Sequence, residues 1–447
     1  MKNINIITLG CAKNRVDSEH IAHALSLGYE IIYDEDILTE DDVLFDSKTH
    51  YDVVVINTCG FILDAKTESI EMILVASAAK ARGQIDKLYV IGCLSQRYGD
   101  DLRNEIPEVD SYFGARDFTE LLDILEGDSS LEGRTISTPE HYAYLKVSEG
   151  CNWMCGYCAI PLIRGRHRSV PMEKLLSEAQ YLAETGVKEL IVIAQDTTYY
   201  GMDLYGERRL AQLLEELCKI EGIEWIRLQY AYPTGFPRDV IEVMAREEKI
   251  CKYLDIPFQH IADNVLDTMR RRISKEETLQ LIKELREAMP TIAIRTTMLV
   301  GYPTETEEDF DELYNFVKEA RIERLGVFPY SEEEGTYSAQ TFEDNIPQEV
   351  KEQRADDIMA LQERISQSIS ESRIGMRLRV LFDDAMDEYF VGRTEWDTPE
   401  VDGEVLVAIP KDMTDDEVDS MIGKFYYVDI TGAISHDLYG QLSDKQQ

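Results

Sequence analysis

The chain has 447 residues, of which 44% are apolar and 30% charged, a balance that excludes a disordered or fibrous polypeptide. Its length predicts about three domains, at roughly 150 residues each. With 86 acidic against 46 basic residues the formal charge is -40, which sets most of the surface against nucleic-acid phosphates and in favour of a basic partner, although bulk charge chiefly governs solubility.

The start, MKNINIITLGC, is too short an apolar run for a signal peptide, and no stretch approaches about 18 uncharged apolar residues. A cytoplasmic protein without a membrane anchor is expected. In that reducing compartment the 8 cysteines point to metal, cluster or redox roles, or to buried thiols, rather than to disulfides.

Three β-branched runs, Ile4 to Leu9, Val53 to Ile56 and Leu88 to Ile91, predict buried parallel strands, with helices such as Ser18 to Leu27 and Ala65 to Ala81 between them. Residues 1-127 therefore predict a parallel α/β domain. A cysteine follows each strand: Cys11, Cys59 and Cys93. Loops at the carboxyl ends of parallel strands converge on one crevice, so these thiols are expected to meet, either as ligands or as small core residues.

Residues 128-142 lack an apolar period and predict a linker. A second alternation follows over 143-346, with strands at Ala143 to Val147, Leu190 to Ala194, Trp225 to Tyr230, Tyr253 to Pro257, Ile292 to Val300 and Leu325 to Pro329. Helices between them include Met172 to Thr185 and Lys275 to Met289, the latter capped by Ser274 with Glu277. Six such units predict a partial (βα)6 barrel. A connecting helix is expected over 347-375. Strands at Arg377 to Phe382, Tyr389 to Arg393, Glu404 to Ala408 and Phe425 to Ile430 then predict a small antiparallel β-barrel over 376-447, which holds 6 basic and 17 acidic residues. The fold class is α/β with this β-barrel at the carboxyl end.

Leaving the first strand of the central barrel, Glu149-Gly-Cys-Asn-Trp-Met-Cys-Gly-Tyr-Cys-Ala-Ile-Pro161 sets Cys151, Cys155 and Cys158 at C-x3-C-x2-C, at the end of a barrel where chemistry is placed. Three thiolates bind three of the four irons of a 4Fe-4S cluster and leave one iron open. A zinc site is the rival reading. It needs a fourth ligand nearby, and His167, nine residues past Cys158, lies outside the usual zinc spacings.

This spacing, followed by Ala-Ile-Pro, resembles the signature of the radical S-adenosylmethionine (SAM) superfamily. Leu9-Gly-Cys-Ala-Lys-Asn14 with Asp17-Ser-Glu19, Asn57-Thr-Cys-Gly-Phe61 and Ile91-Gly-Cys93 narrow the resemblance to the methylthiotransferase family, over essentially the whole chain. The resemblance implies a second 4Fe-4S cluster on Cys11, Cys59 and Cys93, whose open iron holds the sulfur to be inserted. It also implies a central radical barrel, catalysis at Cys151, Cys155 and Cys158, a carboxyl-terminal TRAM barrel, and SAM as both methyl donor and radical source.

Gly10-Cys-Ala-Lys-Asn-Arg15, Ala194-Gln-Asp-Thr-Thr-Tyr-Tyr-Gly201, Tyr230-Ala-Tyr-Pro-Thr234, Pro257-Phe-Gln-His260 and Phe328-Pro-Tyr-Ser-Glu-Glu-Glu-Gly335 are similar to the branch that acts on an aspartate of a small-subunit ribosomal protein. The β-carbon of that aspartate would take the methylthio group, on the free protein or within the ribosomal subunit, with a one-electron reductant as a further partner. The acidic terminal barrel agrees with a basic protein substrate and disfavours direct nucleic-acid binding. A transfer-RNA methylthiotransferase and a non-enzymatic cluster carrier are the rival functions. The acidic stretch Asp34 to Lys48 is longer than the family usually has between its first two cysteines.

Other candidates are polar groups at strand ends. Tyr157 is placed to pack near adenine or to serve as a loop aromatic, and Gln195 and Asp196 to contact the cofactor's methionine or ribose or to cap a loop. Arg295 is placed to pair with a cofactor carboxylate or with an acid inside the barrel. Gln259, His260 and Gly301-Tyr-Pro303 are weaker. Arg164, Arg166 and Arg168 form a basic island beside the cluster loop, Arg270 to Arg272 read as a solvated helix face, and Cys218 and Cys251 as structural thiols.

Overall fold

The computed structural model describes residues 1–33 and 50–444; the acidic stretch Asp34 to Lys48 lies outside them. The first sheet has five parallel strands, β1 (Lys2–Thr8), β2 (Tyr29–Ile32), β3 (Tyr51–Thr58), β4 (Ile85–Gly92) and β5 (Ser111–Tyr112), in the order β2-β1-β3-β4-β5. Its central strands are covered on both faces, which is why they read as continuous apolar runs. Val54, Ile56, Leu88 and Val90 pack with Met72, Ile73, Ala76 and Ala79 on one face. On the other, Ile4, Ile6, Val53, Val55 and Ile91 pack with Ile21, Ala22 and Leu25. Each fully buried side chain of this kind contributes about 1.5–3 kcal/mol.

Three helices follow the three central strands: α1 (Ala12–Leu25) after β1, α2 (Leu63–Ala81) after β3 and α3 (Cys93–Glu105) after β4. Helix α1 starts six residues earlier than its apolar pattern predicts, because its first turns bury polar groups, Lys13, Asn14, Asp17, Ser18 and Glu19.

The next sheet holds β6 (Tyr142–Lys146), β9 (Glu189–Ile193), β10 (Trp225–Leu228), β11 (Ile250–Asp255), β12 (Ala293–Val300) and β13 (Arg324–Pro329), parallel and adjacent in chain order, with β6 and β13 at its edges. A short hairpin, β7 (Ser148–Glu149) with β8 (Arg168–Ser169), clasps the loop that carries the second cysteine triad. The helix Lys275–Ala288 begins on the expected capping box of Ser274 and Glu277. Residues 128-141 form no regular element, but Arg134 is buried there and pairs with Glu19 of α1 at 2.9 Å and Glu178 of the helix Met172–Glu184 at 2.7 Å.

The helix Gln348–Glu371 leads to a closed five-stranded barrel, β14 (Arg377–Met386), β15 (Tyr389–Arg393), β16 (Val405–Ala408), β17 (Phe425–Ala433) and β18 (Leu438–Leu442). Its pairs are antiparallel except β16 with β18. Strand β18 is one the apolar pattern leaves out.

This barrel plugs one end of the six-stranded sheet. Trp225, Cys251, Tyr253 and Ala293 share an apolar cluster with Leu378, Phe382, Phe390 and Trp396. Around it runs a buried ionic seam in which Glu189 meets Arg227 at 2.7 Å and Arg393 at 2.8 Å, Arg393 meets Asp383 at 2.6 Å, and Arg324 pairs with Asp397.

Arg393→Ala would leave Glu189 and Asp383 without that cation inside the seam, a loss of about 3–5 kcal/mol. Denaturant unfolding of the two proteins measures it, and an unchanged midpoint would show the seam to be dispensable.

Candidate active site

The first triad is set by strand ends and helix starts. Cys11 is the N-cap of α1, Cys93 is the first residue of α3, and Cys59 lies in the turn between β3 and α2. The positive ends of α1 and α3 favour thiolate sulfur over thiol. The three are packed close: a Cβ on Gly10 would fall 3.0 Å from the Cys59 Sγ, and one on Gly60 would fall 2.7 Å from the Leu94 amide nitrogen. Burial raises the Cys59 thiol to about 12 and pushes Cys93 up as well. At Cys11 burial acts in the same sense, but the positive charges of Lys13 and Arg164 outweigh it and the net shift is downward.

The second triad sits in the loop held by the β7-β8 hairpin. Gly150, at φ +80°, carries the chain so close to the return strand that a Cβ would fall 2.3 Å from the Arg166 carbonyl oxygen. The Cys151 amide donates to the Gly165 carbonyl at 3.1 Å, and the Gly156 amide to Met269 at 2.8 Å. Burial raises Cys151 to about 12 and pushes Cys158 above the ordinary thiol range.

Around Cys155 lie Trp153, Tyr232 and Arg271, groups to which the sequence assigned no role at the site. The Tyr232 hydroxyl is 3.2 Å from its Sγ, and the Tyr232 ring stacks on Trp153 with centroids 4.2 Å apart. Arg271 lies over Tyr232 at 4.3 Å and donates to the Tyr157 hydroxyl at 3.3 Å and toward Cys155 Sγ at 3.6 Å. The expectation of a solvated helix face over Arg270 to Arg272 is therefore corrected at its centre. Arg271 is buried, while its neighbours, at φ +57° and +53°, are exposed and turn the chain so that only the middle guanidinium points inward.

Arg164 joins the two triads. It is 2% exposed and leaves the second triad's loop to donate to Cys93 Sγ at 3.3 Å, Asp17 at 2.8 Å and Glu149 at 3.2 Å, and to Asn14 Oδ1. Lys146 pairs with Glu149 at 2.9 Å and with Asp17. Burial opposes ionisation of Glu149, but Lys146 and Arg164 overcome it and hold the carboxyl at about 2. Of the basic island expected here, Arg164 alone faces inward, and Arg166 and Arg168 are exposed.

A second bridge runs along Tyr230-Ala231-Tyr232. The Lys13 ammonium, two residues from Cys11, lies 3.2 Å from the centroid of the Tyr230 ring, while Tyr232 reaches Cys155. The two triads are therefore linked through Arg164 and through the Tyr230 to Tyr232 segment, between α1 and the carboxyl ends of the barrel strands.

The remaining candidates are mostly engaged with protein. Tyr157 packs beside Tyr302 and Tyr330 with its hydroxyl on Arg271. Asp196 accepts from Trp153 Nε1 at 2.6 Å and from the Thr198 amide at 2.8 Å. Arg295 meets Asp255 at 3.1 Å and Asp402 of the terminal barrel at 3.5 Å. Gln195 donates to Glu149 at 2.5 Å, but its Oε1 is buried without a partner. His260 lies 3.5 Å from Glu305 and is fully buried. At Gly301 a Cβ would fall 2.2 Å from Lys351 Cγ, so that glycine admits a helix.

Among the described residues no three His, Cys, Asp or Glu side chains converge as a single metal ion requires. Thiolates that each take a different iron of a cluster need no such convergence. Three free thiols per site, adjacent buried guanidinium groups and an orphaned amide oxygen fit anionic clusters with a polar cofactor alongside.

Comparison with known proteins supplies the family. The radical SAM superfamily model matches residues 145–317, the uncharacterized protein family UPF0004 model residues 3–114, and the TRAM domain model residues 374–442. A protein of Bacteroides thetaiotaomicron named ribosomal protein uS12 methylthiotransferase RimO is 49% identical, covering 100% of this chain and 99% of its own. Its namesake in Christiangramia forsetii is 52% identical over 98% of this chain and 94% of its own. Among solved structures, the radical SAM methyltransferase TsrM of Kitasatospora setae, with cobalamin and a [4Fe-4S] cluster bound, shares the fold at TM-score 0.58 and 12% identity, over 76% of this chain and 74% of its own.

Gly150→Ala should strain the second loop at both φ and Cβ. In protein whose Cys11, Cys59 and Cys93 are alanine, anaerobic iron analysis is expected to fall well below that of the same protein with Gly150. Equal iron would mean that the loop does not need this approach.

Proposed function

Because the chain belongs to the RimO family of radical SAM methylthiotransferases, we propose that it places a methylthio group on the β-carbon of an aspartate in ribosomal protein uS12. One 4Fe-4S cluster would lie on Cys11, Cys59 and Cys93 and a second on Cys151, Cys155 and Cys158. The observation that carries this reading is Arg164, a single buried side chain tying Cys93 to the loop of the other triad.

When bound, the clusters and SAM supply a methylated sulfur and a carbon radical able to take hydrogen from an unactivated carbon. The chain's own residues would hold and shield them. Gln195 would offer its unpartnered Oε1 to the cofactor's ammonium group, and Arg271, Tyr232 and Trp153 would position Cys155. Buried aromatic and aliphatic groups around the second loop keep bulk water from a reactive carbon centre.

The substrate reading rests on kinship and charge. A net charge of -40, with 17 acidic against 6 basic residues from Met376 onward, suits a lysine- and arginine-rich ribosomal protein and opposes transfer RNA. A cytoplasmic location and a one-electron reductant follow from that substrate and chemistry. Among the described residues no helix is long and apolar enough to cross a membrane.

Anaerobically purified protein is expected to hold about eight irons per chain, falling to about four when either triad is changed to alanine. Full iron without Cys11, Cys59 and Cys93 would remove the first cluster. Mass spectrometry of a deletion strain should show uS12 lacking one methylthio group and transfer RNA unchanged. The opposite pattern would overturn the substrate.

A further inference from the structure

Lys13 is out of place by every local rule. It stands in the first turn of α1, where the helix dipole is already positive, and it is only 8% exposed. A buried ammonium ordinarily has an anionic partner. Among the described residues no carboxylate lies within ion-pair distance of it; its charge rests on the face of the Tyr230 ring at 3.2 Å. The acid in its neighbourhood, Asp255, is committed to Arg295 at 3.1 Å and to the Tyr230 amide at 3.2 Å.

The cation's position carries the argument further. Arg164 lies against Cys93 and serves the first triad, whereas Lys13, whose charge also favours the Cys11 thiolate, rests on the barrel side against the Tyr230 ring. Two residues along, Tyr232 touches Cys155 of the second triad. An anion received by Lys13 would therefore lie between the sulfur-bearing site and the radical-forming site.

We propose that Lys13 is the substrate-positioning residue that receives the side-chain carboxylate of the target aspartate. This rests on the function proposed above and adds to it. In aspartate the β-carbon is bonded directly to the carboxyl carbon, so a grip on the carboxylate fixes the reacting carbon one bond away. The face of Tyr230 holds the ammonium in place before substrate arrives, and no carboxylate among the described residues lies within ion-pair distance to take up its charge. A neutral amide in the substrate forfeits the interaction, and a glutamate sets its β-carbon one bond further from the grip.

The test uses reconstituted full-length enzyme and two forms of uS12, one native and one in which the aspartate modified by the wild type, located by mass spectrometry, is asparagine. Binding is measured with wild type, Lys13→Gln and Lys13→Arg, alongside iron content and the electron paramagnetic resonance of the reduced clusters. The wild type should bind the aspartate form about tenfold more tightly than the asparagine form, and Lys13→Gln should bind the two alike while keeping its iron and cluster spectrum. Lys13→Arg, which retains the charge, should recover a preference for aspartate. A preference that survives in Lys13→Gln would overturn the proposal. So would loss of first-cluster iron in Lys13→Gln with the preference intact in what remains, since Lys13 would then only balance cluster charge. A wild type that modifies no aspartate of uS12 would instead sink the functional reading on which the proposal stands.

Discussion

One buried guanidinium holds this structure together where it matters. Arg164 comes from the loop of Cys151, Cys155 and Cys158 and ends among Asn14 and Asp17 of α1 and Cys93 of α3, the helices that follow strands of the first sheet. Taking such a charge out of water costs several kcal/mol unless its neighbours answer it. Asp17 and Glu149 do so, and Lys146 completes the set with a second cation. Because the ring draws on both sheets, the first sheet cannot swing from the barrel without stranding charge. That coupling ties together two cysteine sets that are distant in sequence.

The other end of the barrel shows the same principle. An acidic terminal barrel could have been a tethered accessory. Instead, its loop from Arg393 to Asp402 supplies carboxylates to Arg295 and Arg324 and a backbone carbonyl to Arg227, and its apolar residues share a cluster with Tyr253.

Much of this was legible in the sequence because strands followed at once by cysteine are a strong pattern. Runs such as Val53 to Ile56 fixed both the strand and the place of Cys59 at its carboxyl end. What escaped was polar and buried. The start of α1 was invisible because Asn14, Asp17 and Glu19 break the apolar period while serving contacts from other parts of the chain. Arg271 read as surface because it stands between two arginines, and only backbone geometry separates it from them. Arg295, read as pairing with a cofactor carboxylate or with an acid inside the barrel, meets Asp255 and also Asp402, which lies over a hundred residues away, beyond what spacing can reveal. Edge strands β2 and β5 and the closing strand β18 are short and weakly apolar, and tertiary pairing forms them.

In the proposed arrangement both triads hold iron and face each other across Lys13 and the Tyr230 to Tyr232 segment. Anomalous diffraction at the iron edge from crystals grown without oxygen tests it most directly. Two compact iron sites are expected, one within Cys11, Cys59 and Cys93 and one within Cys151, Cys155 and Cys158, with the Tyr230 to Tyr232 segment beside the space between them. A single iron site, or iron at Cys218 or Cys251, would contradict it.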